Sequence, residues 1–245
     1  MKGLTTIYRR ELASLFLAPL AWILLGVSLL LNGWAFVATL KSTGGDITYT
    51  LRIANGGSLF NWAVQIFLPP LLTMRMISEE ARNGLLEFLQ TSPVSDGAVV
   101  VGKFLAAWSF MAIFWLSGLA YALSLQLLGH PPDWPPVLGA YIGLLLVSGL
   151  FCSIGLFTSS ITSAPVLAAF CALMGSVGIL SLPWLVRLFE VPWLSDGVGA
   201  VDIMSSFDRS FLIGVLDTKV LVFFIAWTFF FTFLATRAVE AKRWR

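Results

Sequence analysis

Residues 97–104 read GAVVVGKF, which sets Gly97 and Gly102-Lys103 at the spacing of a phosphate-binding loop, G-x-x-x-x-G-K-[ST]. That loop needs a Ser or Thr hydroxyl for magnesium directly after the lysine, and Phe104 stands there instead. It also needs a strand before it and a soluble helix after it, so that backbone amides can cradle phosphates. These residues lead instead into an apolar run of 27 residues, Gly102 to Leu128. The nucleotide-site reading fails on both counts. Lys103 is expected to anchor the inner end of a membrane helix at the interface.

Glu79, Glu80 and Arg82 form a second group with chemical potential. They are similar to the Glu-Glu…Arg motif of CAAX-type intramembrane proteases, but that motif sets its arginine one residue further on. It also needs histidines on neighbouring helices, and the one histidine, His130, lies in the turn GHPPDWPP. A lone histidine builds no zinc-like site. Cys152 and Cys171 each sit within an apolar run and read as small hydrophobes rather than as a staple or a metal site. No catalytic, cofactor-binding or metal-ligating set is expected in this chain.

The elements that carry these residues are membrane helices. Of 245 residues 58% are hydrophobic and 11% charged, with mean hydropathy +0.89, against about 25% charged in a soluble domain. A formal net charge of +2 gives no global attraction for nucleic acid. A span needs about 20 mainly apolar residues. Six segments qualify: Pro19 to Thr39, Ser58 to Met74, Gly102 to Leu128, Val137 to Phe157, Pro165 to Val186 and Val220 to Ala235. The first is too long for the apolar core of a signal peptide and is expected to be a retained anchor. The fold class is therefore an all-α membrane protein of six transmembrane helices.

Lys and Arg set the orientation. With the N-terminus inside, ten cations fall on inner segments and five on outer loops, which predicts both termini in the cytoplasm. Ahead of the first span, Leu4, Ile7, Tyr8, Leu12, Leu15 and Phe16 recur at helical spacing, with Thr5, Thr6, Arg9, Arg10 and Ser14 opposite. That pattern predicts an amphipathic helix in the inner interface, turned by Pro19 into the first span. After the second span the chain turns polar at Glu79, Glu80 and Arg82, which are costly in hydrocarbon and mark a cytoplasmic exit. Gly84 permits a break. Leu85, Leu86, Phe88 and Leu89 then give a short helix an apolar face, Ser92-Pro93 stops it, and Ser95 or Asp96 caps the next helix. Such a helix suits a groove on a soluble partner or the membrane surface.

The run TMRMISEEARNGLLEFLQTSPVSDGAVVVGKFLAA closely resembles the permease subunits of ABC-2 type transporters, and is most similar to the gliding-motility-type branch. The residues that carry the likeness are Glu79, Glu80, Arg82, Gly84, Leu86, Glu87, Leu89, Thr91, Ser92, Pro93, Val94, Ser95, Gly102 and Lys103. The opening IYRREL…SLFLAPLAWI and the closing VEAKRWR resemble the ends of the same family, so the likeness covers the whole chain. It implies a single transmembrane domain over 1–245, with an elbow helix at 1–17, a coupling loop at 77–98 and an outer loop at 187–218. Coupling to the ATPase would fall on Glu79, Glu80, Arg82, Gly84, Leu86, Glu87, Phe88, Ser92 and Pro93. It implies an exporter of the bacterial inner membrane that takes its energy from a separate ATP-binding subunit, which would hold the ATP and magnesium. A second permease protomer, membrane lipids and an auxiliary periplasmic subunit complete the implied partners. Short re-entrant helices are implied in the last outer loop, where Ile203, Phe207, Phe211 and Val215 recur at i, i+4.

An ion-coupled secondary transporter is the rival reading, with a membrane scaffold subunit as a further alternative. Relays of ionisable groups usually mark ion-coupled carriers, and no Asp, Glu, Lys or Arg falls in the middle of a predicted span. Asn61 and Gln65, at i, i+4 on the second span, could line a pathway together or hydrogen-bond across the bundle. Pro69-Pro70 is expected to kink that span, and Gly139 with Gly143 forms a G-x-x-x-G suited to close helix packing.

Overall fold

The computed structural model of the chain describes residues 2–84, 95–188 and 202–242, and these are helical, with no strand among them. Five helices are long and apolar enough to cross a membrane: Ala21–Ser42, Asp96–Leu127, Trp134–Ile161, Pro165–Val186 and Thr218–Lys242. In chain order, α1 is Lys2–Leu17, α2 Pro19–Ser42, α3 Ile47–Arg52, α4 Leu59–Thr73 and α5 Ser78–Arg82. Then follow α6 at Asp96–Leu127, α7 at Trp134–Ile161, α8 at Pro165–Leu188, α9 at Ile203–Arg209 and α10 at Thr218–Lys242.

The segment read as the second span differs most from its sequence pattern. Its helix, α4, has 15 residues, about 22 Å at 1.5 Å per residue, against a hydrocarbon core of about 30 Å. A π-helical turn, Ile53–Gly57, joins it to α3, and Met74–Ile77 leave the helix before α5 starts. Pro69 and Pro70 lie inside α4 and donate no backbone N–H. Thr73 Oγ1 donates to the Pro69 carbonyl at 2.8 Å.

Helix α7 is the centre of the bundle, packed against α4, α6, α8 and α10. Its glycines explain the position. Gly139 and Gly143 face the outer segment at 203–213 and not another spanning helix. A Cβ on Gly143 would stand 2.7 Å from ring atoms of Phe207 and Phe211, and one on Gly139 would stand 2.5 Å from the Phe211 carbonyl oxygen. Gly56 receives the Phe207 ring from the other side, at 2.6 Å from a Cβ position, and its φ of +125° is open to glycine. Further along α7, Gly155 faces Thr73 and Pro70, and the Thr73 side chain takes the space a Cβ would fill, so α4 lies close against α7.

The i, i+4 pattern of the outer segment holds for three of its four members. Ile203, Phe207 and Phe211 are buried, while Val215 is exposed because α9 ends at Arg209 and a 3-10 turn, Phe211–Ile213, closes on left-handed Gly214. Asp202 caps α9 by accepting from the Ser205 amide at 3.0 Å. By contrast α10 buries Phe224 but exposes Ile225, Phe229, Phe230 and Phe233, a surface suited to lipid. Cys152 is buried and Cys171 exposed.

Substituting Gly143→Ala would drive a methyl into both phenylalanine rings. The expected cost is about 1–3 kcal/mol, typical of overpacking, read as a lower Tm in detergent. Gly26→Ala, where nothing lies within 4 Å of the new Cβ, should leave Tm at or above the parental value. Equal Tm values for the two variants would refute this packing.

Candidate functional site

Helix α6 begins at Asp96, with Ser95 as its cap, the hydroxyl accepting from the Ala98 amide at 3.3 Å. Lys103 therefore lies two turns inside the helix rather than at its mouth. It is wholly buried, which corrects its expected place as an interface anchor. An ammonium has three donors and no acceptor. Lys103 Nζ donates to the Met76 carbonyl at 2.7 Å, to Glu80 Oε1 at 2.8 Å and to Glu11 Oε1 at 3.0 Å. One cation thus joins α1, the α4–α5 junction and α6. The glycine beside it makes room: a Cβ on Gly102 would meet Ile7 Cγ2 at 3.1 Å and the Leu4 carbonyl at 3.3 Å. The Gly-Lys pair of the phosphate-loop pattern is a helix contact and a charge hub.

Arg10 closes the cluster from outside. Its Nη2 donates to Glu11 Oε1 at 2.6 Å and to Glu80 Oε1 at 3.1 Å, with about half of the side chain exposed. Two cations share two carboxylates. Burial pushes the Glu11 carboxyl up, but Lys103 and Arg10 outweigh it and hold the group below its ordinary range. The hydrogen bond to Glu11 leads the causes that raise Arg10, against the opposing effect of burial.

The two ends of α4 are closed by side chains. At the inner end Ser159 Oγ of α7 accepts from the amides of Ile77 at 3.2 Å and Ser78 at 3.0 Å, and donates to the Met74 carbonyl at 3.0 Å. At the outer end Asn61 Nδ2 donates to the carbonyls of Ile53 at 3.1 Å and Ala54 at 2.9 Å. Gln65 Nε2 donates to the Leu144 carbonyl at 2.9 Å, and its oxygen is bonded by Ser148 Oγ at 3.0 Å. Trp115 Nε1 donates to the same hydroxyl at 3.0 Å. Asn61 and Gln65 are each 1% exposed.

The acidic-basic group is divided by direction. Glu80 points into the hub, Glu79 lines a neighbouring cleft, and Arg82 and Gly84 are exposed. Gly84 follows α5 with φ +72°, as a residue after a helix end often does. Leu86, Glu87, Phe88, Ser92 and Pro93 lie outside the described residues. Glu11 and Ser159 did not stand out in the sequence. Glu11 had a usable signal: it falls among Leu4, Ile7, Tyr8, Leu12 and Leu15, on the apolar face of α1. A carboxylate there needs a buried partner.

Lys103→Met leaves Glu11 and Glu80 facing each other with Arg10 alone between them. The expected loss is about 3–5 kcal/mol, as for removing one partner of a buried ion pair. The triple variant Lys103→Met, Glu11→Gln, Glu80→Gln removes the unpaired charges with the lysine, and should recover most of the Tm in detergent. A triple variant no more stable than the single one would refute the hub. Because the folded Glu11 carboxyl is depressed, its stabilisation is present above the ordinary glutamate range and is lost as pH falls through the depressed value. Glu11→Gln should flatten that acid-side fall in Tm.

The geometry is that of a multi-span membrane protein with a charge-tied junction at one end of its bundle. No curated protein matches the chain. The family model described as ABC-2 family transporter protein matches residues 66–239, more than two thirds of the sequence, from the middle of α4 into α10. This chain belongs to the ABC-2 family of transporter proteins.

Proposed function

We propose that the chain is the permease subunit of an ABC exporter of the gliding-motility-type branch, in a bacterial inner membrane with both termini in the cytoplasm. ATP and magnesium are held by a separate ATP-binding subunit, and two permease protomers form the pathway between them. Helix α4 is the sixth span. Its 15 helical residues are extended by the π turn on the outer side and by Met74–Ile77 on the inner side. Non-helical backbone is tolerated at such depth where protein satisfies it, and Asn61, Ser159 and Lys103 do so here. Asn61 and Gln65 then serve as bonds within the bundle.

The observation that carries the reading is the position of α5. This short charged helix leaves the bundle with Glu80 locked to Lys103, which Glu11 shares, and with Arg82 exposed. It leads directly into the segment that holds Leu86, Glu87, Phe88, Ser92 and Pro93. In the proposed arrangement Leu86 and Phe88 fill a groove on the ATP-binding subunit, Arg82 and Glu87 pair with its charges, and Gly84 and Pro93 set the ends of the coupling helix. Helix α1 is the elbow, tied to the same hub through Glu11.

The test is reconstitution with the cognate ATP-binding subunit. The double variant Arg82→Glu, Glu87→Arg should weaken subunit affinity by about tenfold or more, as for lost interfacial charge pairs, with Tm unchanged. Glu80→Lys should lower Tm first, because it strikes the hub. Parental affinity and ATPase stimulation in the double variant would overturn the coupling assignment. Transport driven by an ion gradient with no ATP-binding subunit present would overturn the ABC mechanism.

A further inference from the structure

A cleft of about 680 Å³ opens beside the hub, between the α1–α2 corner and the α4–α5 junction. Its lining includes the apolar Leu24 of α2 and Leu71 and Leu72 of α4, and the charged Arg75 and Glu79 beyond the end of α4. Arg75 is exposed, and neither it nor Glu79 has an ion-pair or hydrogen-bonding side-chain partner among the described residues. Around these charged residues three cations, Arg10, Arg75 and Lys103, balance three carboxylates, Glu11, Glu79 and Glu80. Leu24 lies on α2, where Trp22, Ile23 and Val27 are exposed and only 11% of the spanning window is buried. The lining therefore passes from apolar residues within α2 and α4 to charged residues at the α4–α5 junction, as a leaflet passes from hydrocarbon to headgroup level.

We propose that this cleft binds one zwitterionic aminophospholipid, of the phosphatidylethanolamine class, from the leaflet in which the α4–α5 junction lies. The phosphate accepts from the free Arg75 guanidinium. The ammonium donates to the free Glu79 carboxylate, which only accepts. The first part of one acyl chain lies against Leu24, Leu71 and Leu72. Charge balance makes the choice of headgroup: an anionic lipid meets as many carboxylates as cations, and a choline headgroup has no N–H to offer Glu79. The cleft falls within the size range of small-molecule sites. Binding there braces the α1–α2 corner against α5. The inference needs no ATP-binding subunit, so its failure and the failure of the transporter reading are separable.

The experiment is native mass spectrometry of the full-length chain, released from vesicles of equal phosphatidylethanolamine, phosphatidylcholine and phosphatidylglycerol. Expected is one retained phosphatidylethanolamine per protomer, favoured about tenfold over each competitor, the value of a charge-assisted contact. Arg75→Ala should lower that retention about tenfold with the Tm of delipidated protein unchanged. Ser14→Trp, an exposed position on the cleft wall, should abolish it sterically. Equal retention of phosphatidylcholine, preference for phosphatidylglycerol, or parental retention in both variants would overturn the proposal. No retained lipid at all would assign the cleft to a protein segment, and would overturn it equally.

Discussion

An ammonium group cut off from water must find acceptors, and one end of this bundle is arranged around that requirement. Lys103 is wholly buried and its three donors meet three acceptors on two other segments. Desolvating a charge costs several kcal/mol, recovered only when its partners are close and complete. The lysine is therefore stable where it stands only if α1 lies on α6 and the end of α4 turns beneath both. This makes the N-terminal helix part of the fold rather than an appendage on the membrane surface. Gly102 lets α1 lie this close, because a Cβ there would stand 3.1 Å from Ile7 Cγ2 and 3.3 Å from the Leu4 carbonyl oxygen.

The second constraint is the demand of hydrocarbon for satisfied backbone. Helix α4 is too short to cross alone, and it leaves helical geometry at both ends. Each break is answered by a side chain from within the bundle. Asn61 reaches back to two carbonyls of the π turn, and Ser159 of α7 takes two amides and gives one proton at the inner turn. Lys103 takes the Met76 carbonyl as well. The hub and the inner end of α4 are thus one structure, with Met76 as the shared residue. The small residues of α7 complete it, since Gly155 brings Thr73 and Pro70 onto the helix that carries Ser159.

Much of this was legible from the pattern of residues, and what was not has specific physical reasons. Long apolar runs mark five spanning helices, and the 3.6-residue spacing of Leu4, Ile7, Tyr8 and Leu12 marks α1. The same spacing finds the buried face of α9 through Phe211, and fails at Val215 because a positive-φ glycine turns the chain. The depth of Lys103 is missed when the span is counted from Gly102, although the cap at Ser95 or Asp96 already starts the helix two turns earlier and Ala98 to Val101 are apolar. A lysine seven residues inside a capped helix needs acceptors from its neighbours rather than a place at the helix mouth. The glycine pair on α7 was legible as a close contact but not its partner, since a missing Cβ says nothing about what fills the space. Ser159 gave no signal, because a serine that answers a break elsewhere in the chain looks like any other serine. Of the residues expected to couple to an ATPase, Glu79, Glu80, Arg82 and Gly84 are among the described residues, and Glu80 faces Lys103 rather than outward.

The arrangement constrains how motion at the charged helix can travel. Helix α5 has five residues and no core of its own, so anything that displaces it acts on its attachments. One of those attachments is the charge-assisted bond from the buried Lys103 to Glu80, and stretching it would leave the ammonium short of a partner. Buried networks of this kind respond by moving together or by switching between discrete packings rather than by gradual deformation. Helix α1, the α4–α5 junction and the first turns of α6 therefore behave as one body. The compliant place is the one without such bonds, the left-handed Gly84 beyond α5, where nothing lies within 4 Å of a Cβ position. A displacement of α5 reaches the bundle as a shift of that body, and through the shared turn at Met76 it reaches α4, whose 15-residue helix is too short to be independent of its neighbours.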